Sequence, residues 1–174
     1  MEENKRLCKE LLAVIPVEEQ ERVFKSDECE LCSDFLGFIS FYEALSRIIP
    51  KGYTVIDFGA AYNPQSYYFK GCNYIAVQPP QGVYEMFCPE WCKIYRCTTG
   101  EFIEHKNEYL SGVDADKIFA ICNFVPNWYG EKSMDLVKAN FQNVFTYYPC
   151  SLDKNSDYGR KRLRRNVERR MRQV

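Results

Sequence analysis

The spacing of apolar residues changes once along the chain, near residue 50. Before this point apolar positions recur every three to five residues, which predicts helices over residues 2–15, 17–24 and 35–49. After it, short runs rich in β-branched and aromatic residues predict strands. These runs cover residues 53–58, 74–77, 93–97, 117–122 and 144–148. Helical patterns lie between them, over residues 64–70, 98–110 and 131–143.

The alternation of strands with helices indicates the fold class, because parallel strands joined by right-handed crossovers produce this pattern. We predict an α/β fold, a Rossmann-like three-layer sandwich whose mostly parallel sheet has about five strands in the order 3-2-1-4-5. The 174 residues suit one compact domain, with a helical segment over 1–50, the core over 51–150 and a tail over 151–174. Residues 78–91 contain three prolines and no period, which predicts an irregular loop with one turn around residues 84–87.

The stretch from Tyr53 to Pro64, Y-T-V-I-D-F-G-A-A-Y-N-P, joins the first strand to a helix. Gly59 follows the strand, where a chain needs a positive φ or a close approach to another group. Asn63 is predicted to cap the next helix, with Pro64 at its first position. Ligands of open α/β sheets bind beyond the carboxyl ends of the strands. The candidate binding residues are therefore those that follow strands one to four: Asp57 to Asn63, Gln78, Thr98 with Thr99, and Asn123 to Trp128.

At these positions the sequence resembles the class I S-adenosylmethionine-dependent methyltransferases. The matching segments are V-I-D-F-G-A-A at residues 55–61 and Y-I-A-V-Q-P at residues 74–79, with a weaker match in C-N-F-V-P-N-W at residues 122–128. The resemblance implies a methyltransferase that binds S-adenosylmethionine and acts on an unknown substrate. It implies cofactor-binding roles for Asp57, Gly59, Ala60, Ala61, Tyr62, Gln78, Thr98 and Asn123, and it makes Asn123 and Trp128 the candidates for holding the methyl acceptor.

Each of these roles has a chemical basis and an alternative. Small residues at 59–61 let the backbone approach the methionine part of the cofactor, and Asp57 can accept a hydrogen bond from its ammonium group. Alternatively, Asp57 only ties down the loop by accepting backbone N–H bonds. Gln78 stands where the family has an acid, so it can accept a ribose hydroxyl through its amide oxygen but lacks the stronger charge-assisted bond. Trp128 either stacks on a target or covers the edge of the sheet.

A second class of function fits the same pattern. The chain is then a catalytically inactive methyltransferase-like fold that serves as a binding or interaction module. Gln78 and the irregular segment after it depart from the family pattern and favour this alternative, as do the polar and basic residues beyond the fifth strand.

Composition limits the remaining classes. The chain is 46% hydrophobic and 16% aromatic, so it can bury a core and does not have the composition of a disordered protein. Charged residues interrupt every apolar stretch well short of the roughly 20 residues that span a bilayer, which predicts no membrane partner. The charged beginning M-E-E-N-K-R lacks the apolar core of a signal peptide. We therefore expect a cytoplasmic protein.

The nine cysteines have two interpretations. Cys29 and Cys32, together with Cys88, Cys92 and Cys97, have a loose resemblance to zinc-ligand spacing, which makes a zinc-bound interaction protein a third alternative. An odd number without a secretion signal otherwise favours reduced thiols that pack as small apolar residues. The single histidine, His105, lies in a polar helical stretch and is predicted to be solvated.

Charge is distributed unevenly along the chain. Between Arg160 and Arg172 there are eight basic residues and one acid, Glu168, whereas the rest of the chain has 15 basic and 23 acidic residues. A basic segment attracts phosphates, so a nucleic acid is a candidate partner. The alternatives are docking of the segment on the acidic body or on another subunit, or a merely solvated helix.

Overall fold

The computed structural model describes residues 2–24, 33–80, 85–123 and 132–147. The predictions for Cys29, Cys32, Trp128 and the basic residues from Arg160 to Arg172 lie outside this part of the chain. In the described part the predicted helices and strands are all present, with ends that differ by a few residues.

Three helices precede the sheet: α1 (Glu2–Val14), α2 (Val17–Phe24) and α3 (Ser33–Ile48). Leu7 and Leu11 of α1 and the following Ile15 are buried, because a spacing of four places them on one face. Pro16 separates α1 from α2. The Gln20 amide then donates to the carbonyl oxygens of Leu12 and Ile15, at 2.9 and 2.8 Å, and so satisfies acceptors at the end of α1.

Five parallel strands form one sheet in the order β3-β2-β1-β4-β5, which confirms the predicted topology. They are β1 (Thr54–Phe58), β2 (Asn73–Val77), β3 (Cys92–Tyr95), β4 (Ile118–Asn123) and β5 (Asn143–Tyr147). Every residue of β1 is buried, as expected for a central strand covered on both faces. The order of the strands reverses between β1 and β4, and this makes their carboxyl ends the switch point of the sheet.

Alternate residues of the strands form two cores, which makes the molecule a three-layer α/β sandwich. On one face, Val55, Tyr74 and Ile121 pack against α3 and a 3-10 helix (Pro64–Phe69). On the other face, Ile56 and Val77 pack against α4 (Thr99–Glu104), α5 (Lys106–Tyr109) and α6 (Ser133–Asn140). A third cluster joins α1 and α2 to the first face. Among the helices of the described ranges, none combines the length and apolar character needed to cross a bilayer.

Three local predictions need correction. The helix predicted from residue 98 to 110 is divided at His105 into α4 and α5. Asn63 does not cap the next helix with its side chain, because its backbone is left-handed (φ 66°) and an N-cap needs an extended backbone. In the loop after β2, the Cys92 amide donates to the Pro89 carbonyl at 2.8 Å. The turn that this bond closes lies later than the one predicted around residues 84–87.

Candidate ligand site at the carboxyl edge of the sheet

The loop after β1 is fastened to the end of β2. Gly59 has a φ of +79°, which glycine adopts without steric cost, and its amide donates to the Val77 carbonyl at 2.8 Å. The Ala60 amide shares this acceptor at 3.4 Å, and the Ala61 amide donates to the Gln78 side-chain oxygen at 2.9 Å. The amide N–H groups of residues 59–61, called the glycine loop below, are thus all hydrogen-bonded within the protein.

Gln78 is the residue that links this loop to the second strand. It is buried, with 5% of its surface exposed, and its amide oxygen accepts the bond from Ala61. The structure thus places Gln78 at the predicted edge, next to the loop, and gives its oxygen a structural role that the sequence did not reveal.

Asp57 lies on the face of the sheet that α3 covers, and it is fully buried. Its carboxylate accepts hydrogen bonds from the Tyr74 hydroxyl at 2.6 Å, the Gln65 amide at 2.8 Å and the Tyr42 hydroxyl at 3.3 Å. Burial raises the pKa of Asp57 to about 6, although all three hydrogen bonds act in the opposite direction. Desolvation therefore outweighs hydrogen bonding at this carboxylate.

These contacts resemble the alternative role predicted for Asp57, in which it only ties down the loop. The donors, however, are side chains instead of backbone N–H groups. Gln65 donates to Asp57 and also to the Ala60 carbonyl at 2.9 Å, so the carboxylate holds the loop through this side chain rather than through backbone N–H groups. Burial and the negative charge of Asp57 raise the pKa of Tyr42 and Tyr74 well above 10. Sequence reasoning missed these two tyrosines and Gln65. A hydroxyl among the apolar residues of a buried stripe is the available signal, because buried tyrosine hydroxyls need partners.

Asn123 ends β4 at the switch point. Its side chain belongs to the same face as Ile121, which pairs in register with Asp57. Only 4% of Asn123 is exposed, and in the described part of the chain neither polar atom of its carboxamide has a hydrogen-bond partner. Asn123 is close enough to the Tyr42 hydroxyl to lower its pKa, but the geometry falls short of a hydrogen bond. Each such unsatisfied group costs about 1–3 kcal/mol.

Thr98 and Tyr62 occupy structural positions. The Thr98 hydroxyl accepts a bond from the Glu101 amide at 3.2 Å, and the Glu101 carboxylate accepts one from the Thr98 amide at 2.7 Å. This is the predicted capping box of α4. The Tyr62 carbonyl accepts a bond from the Phe87 amide at 2.8 Å, and both rings pack with α1 and α2. Phe87 is fully buried, so these two residues fill the space between the loop and the N-terminal helices.

The described residues offer few metal ligands. They contain no cluster of three or more histidine, cysteine, aspartate or glutamate side chains that could hold a metal ion. Of the cysteines in the zinc hypothesis, Cys88, Cys92 and Cys97 fall within this part of the chain, and all three are free thiols. His105 is exposed, with its Nδ1 atom 3.7 Å from a Glu108 oxygen, as predicted for a solvated residue.

The site as a whole consists of several buried polar side chains at the carboxyl edge of a parallel sheet. Comparison of the sequence with models of protein families and with curated proteins found no match. The structure shows a Rossmann-like α/β sandwich. Because no relative indicates a function, its assignment depends on the residues at the switch point.

Proposed function

We propose that this protein binds S-adenosylmethionine at the carboxyl edge of its sheet, in a methyltransferase-type site whose substrate is unknown. The observation that carries the proposal is the buried Asn123 carboxamide without a partner in the described residues, at the point where the strand order reverses. Buried polar side chains are nearly always hydrogen-bonded, and each exception needs an explanation, of which a functional role is one. A ligand in the crevice between β1 and β4 would satisfy both atoms of Asn123.

The neighbouring residues suit such a ligand in part. Gly59, Ala60 and Ala61 present little side-chain volume at the end of β1, so a ligand can approach the backbone there. Gln78 places a polar amide group beside this loop at the end of β2. S-adenosylmethionine would supply the electrophilic methyl group. The protein would contribute mainly position and exclusion of water, which suffice for large accelerations of bimolecular reactions.

Asp57 is assigned a different role from the one the family resemblance implies. Its carboxylate is fully buried and surrounded by three donors of the protein, so it does not face a ligand ammonium group. In this proposal Asp57 fixes the shape of the loop through Gln65. Its effect on ligand affinity is therefore indirect.

Isothermal titration calorimetry with S-adenosylmethionine and with its demethylated product tests the proposal. We expect saturable heat at a stoichiometry of one, together with a rise in melting temperature that follows the ligand concentration. No heat and no thermal shift at millimolar ligand would exclude the proposal.

A second candidate is a catalytically inactive module that keeps the fold. The observation in its favour is that the loop amides, the Asp57 carboxylate and the Gln78 oxygen all have partners inside the protein. A nucleic acid is the partner whose chemistry matches the eight basic residues between Arg160 and Arg172. Binding of labelled single-stranded RNA that weakens steeply with salt, and is lost when Arg164, Arg165, Arg169 and Arg170 are changed to Glu, would support this function.

A further inference from the structure

The segment between β2 and β3 contains two thiols held beside each other. Cys88 is exposed and Cys92 is half-buried. The turn closed by the bond from the Cys92 amide to the Pro89 carbonyl brings the chain back, so that the Cys88 thiol lies 3.6 Å from the Cys92 carbonyl oxygen. Cys88 is also close enough to Cys92 to contribute to the raised pKa of its thiol. A disulfide needs its two cysteines close in space, and this short turn keeps Cys88 and Cys92 close.

The Cys92 thiol is held in position by Asn63, which follows the glycine loop. The Asn63 amide nitrogen donates to the Cys92 sulfur at 3.3 Å and to the Phe87 carbonyl at 2.9 Å. Asn63 is fully buried, so it fixes the position of Cys92 from the side opposite to solvent. Burial is the main reason why the pKa of Cys92 is raised to about 12, which keeps it protonated at neutral pH.

The environments of the two thiols differ in a way that assigns an order to their reactions. Cys88 is accessible and meets a reagent first, whereas Cys92 is protected by packing and by Asn63. By contrast, Cys72 is buried and its thiol donates to the Pro50 carbonyl at 3.6 Å. Cys72, which directly precedes β2, is therefore an inert thiol and serves as the internal control.

We infer that Cys88 and Cys92 form a redox-active pair that closes to a disulfide on meeting a low-molecular-weight disulfide such as oxidised glutathione. The Cys88 thiolate attacks one sulfur of the oxidant, forms a mixed disulfide and releases one glutathione thiolate. Cys92 must then lose its proton before its sulfur attacks the Cys88 sulfur and releases the second glutathione thiolate. Two electrons pass to the oxidant, each cysteine loses one proton, and the two glutathione thiolates take up those protons. Because Asn63 belongs to the loop after β1, closure also alters a contact of the candidate ligand site.

The full chain is incubated with oxidised glutathione, alkylated to trap the remaining thiols, and digested with trypsin and a glutamate-specific protease. Cleavage after Glu85, Glu90 and Lys93 places Cys88 and Cys92 on separate peptides, residues 86–90 and 91–93, and Cys97 on a third. We expect the first two peptides to be recovered linked, and released by dithiothreitol. Formation should accelerate as the pH rises toward the pKa of Cys92.

Variants make the result specific. The link should be absent in Cys88→Ser and persist in Cys72→Ser. Recovery of both thiols fully alkylated after oxidation, or linkage of either one to Cys97, would overturn the inference. So would stoichiometric zinc in the isolated protein that protects both thiols until a chelator is added, since the pair would then be part of a metal site.

Discussion

The buried carboxylate of Asp57 gives the sharpest quantitative prediction. Its pKa is raised from 3.8 to about 6 in the folded protein, a shift of about two units, which corresponds to about 3 kcal/mol. Between these two pH values the folded state binds more protons than the unfolded state. The contribution of Asp57 to the free energy of unfolding is therefore present at low pH and is lost as the pH rises through about 6. About 2 kcal/mol of this loss falls between pH 4 and pH 7.

The substitution Asp57→Asn removes the titration while keeping the shape of the side chain. Urea unfolding of both proteins at several pH values gives the difference in their free energies of unfolding. We expect this difference, wild type minus D57N, to fall by about 2 kcal/mol from pH 4 to pH 7. Hydrogen bonds from Arg22 and Thr98 lower the pKa values of Glu19 and Glu101, but these groups are present in both proteins and cancel.

A control variant separates this effect from a general change of charge. Asp116→Asn removes one exposed carboxylate and is the matched control for the loss of one charge. A flat difference for D57N, or one that rises with pH, would refute the reasoning. It would mean that the donors around Asp57 outweigh its desolvation.

Two further predictions concern single hydrogen bonds, and denaturant unfolding checks both. Tyr74→Phe removes the 2.6 Å bond to Asp57 and should lower the free energy of unfolding by about 1.5–3 kcal/mol at neutral pH, because the acceptor is charged. A loss below 0.5 kcal/mol, about the scale of a surface change, would contradict this. Thr98→Ala removes one half of the capping box of α4 and should cost about 1 kcal/mol, whereas Thr98→Ser should restore most of it. Equal losses in the two variants would show that the hydroxyl is not the stabilising group.

The sheet was predictable because its signals are local. The apolar run of β1 reads as a strand buried on both faces, and the alternation of strands with helices implies parallel pairing. The capping box at Thr98 was also readable, because all its groups lie within four residues. At Asn63 the same reasoning placed the start of the helix correctly, with Pro64 at its first position. It was wrong about the side-chain cap, because the sequence does not show the left-handed φ of Asn63.

The contacts of the site were less predictable because they join residues from different strands and helices. Asp57 meets Tyr42 and Tyr74, which lie 15 and 17 residues away. The packing of α3 on the sheet brings Tyr42 to the carboxylate, and the pairing of β2 with β1 brings Tyr74. Gln65 looked like an ordinary residue of a helix. Its two bonds, to Asp57 and to the Ala60 carbonyl, arise because the 3-10 helix turns its side chain inward.

Asn123 is proposed to bind the ligand, and calorimetric titration of S-adenosylmethionine into wild type and Asn123→Leu tests this role most directly. Leu has a similar size and removes both unpartnered atoms, so the variant should be as stable as wild type or more stable. It should bind the ligand about tenfold more weakly, the equivalent of about 1.4 kcal/mol, while the exposed control Asn107→Ala retains wild-type affinity. Equal affinity of N123L and wild type, or no binding by any of the three proteins, would contradict the account.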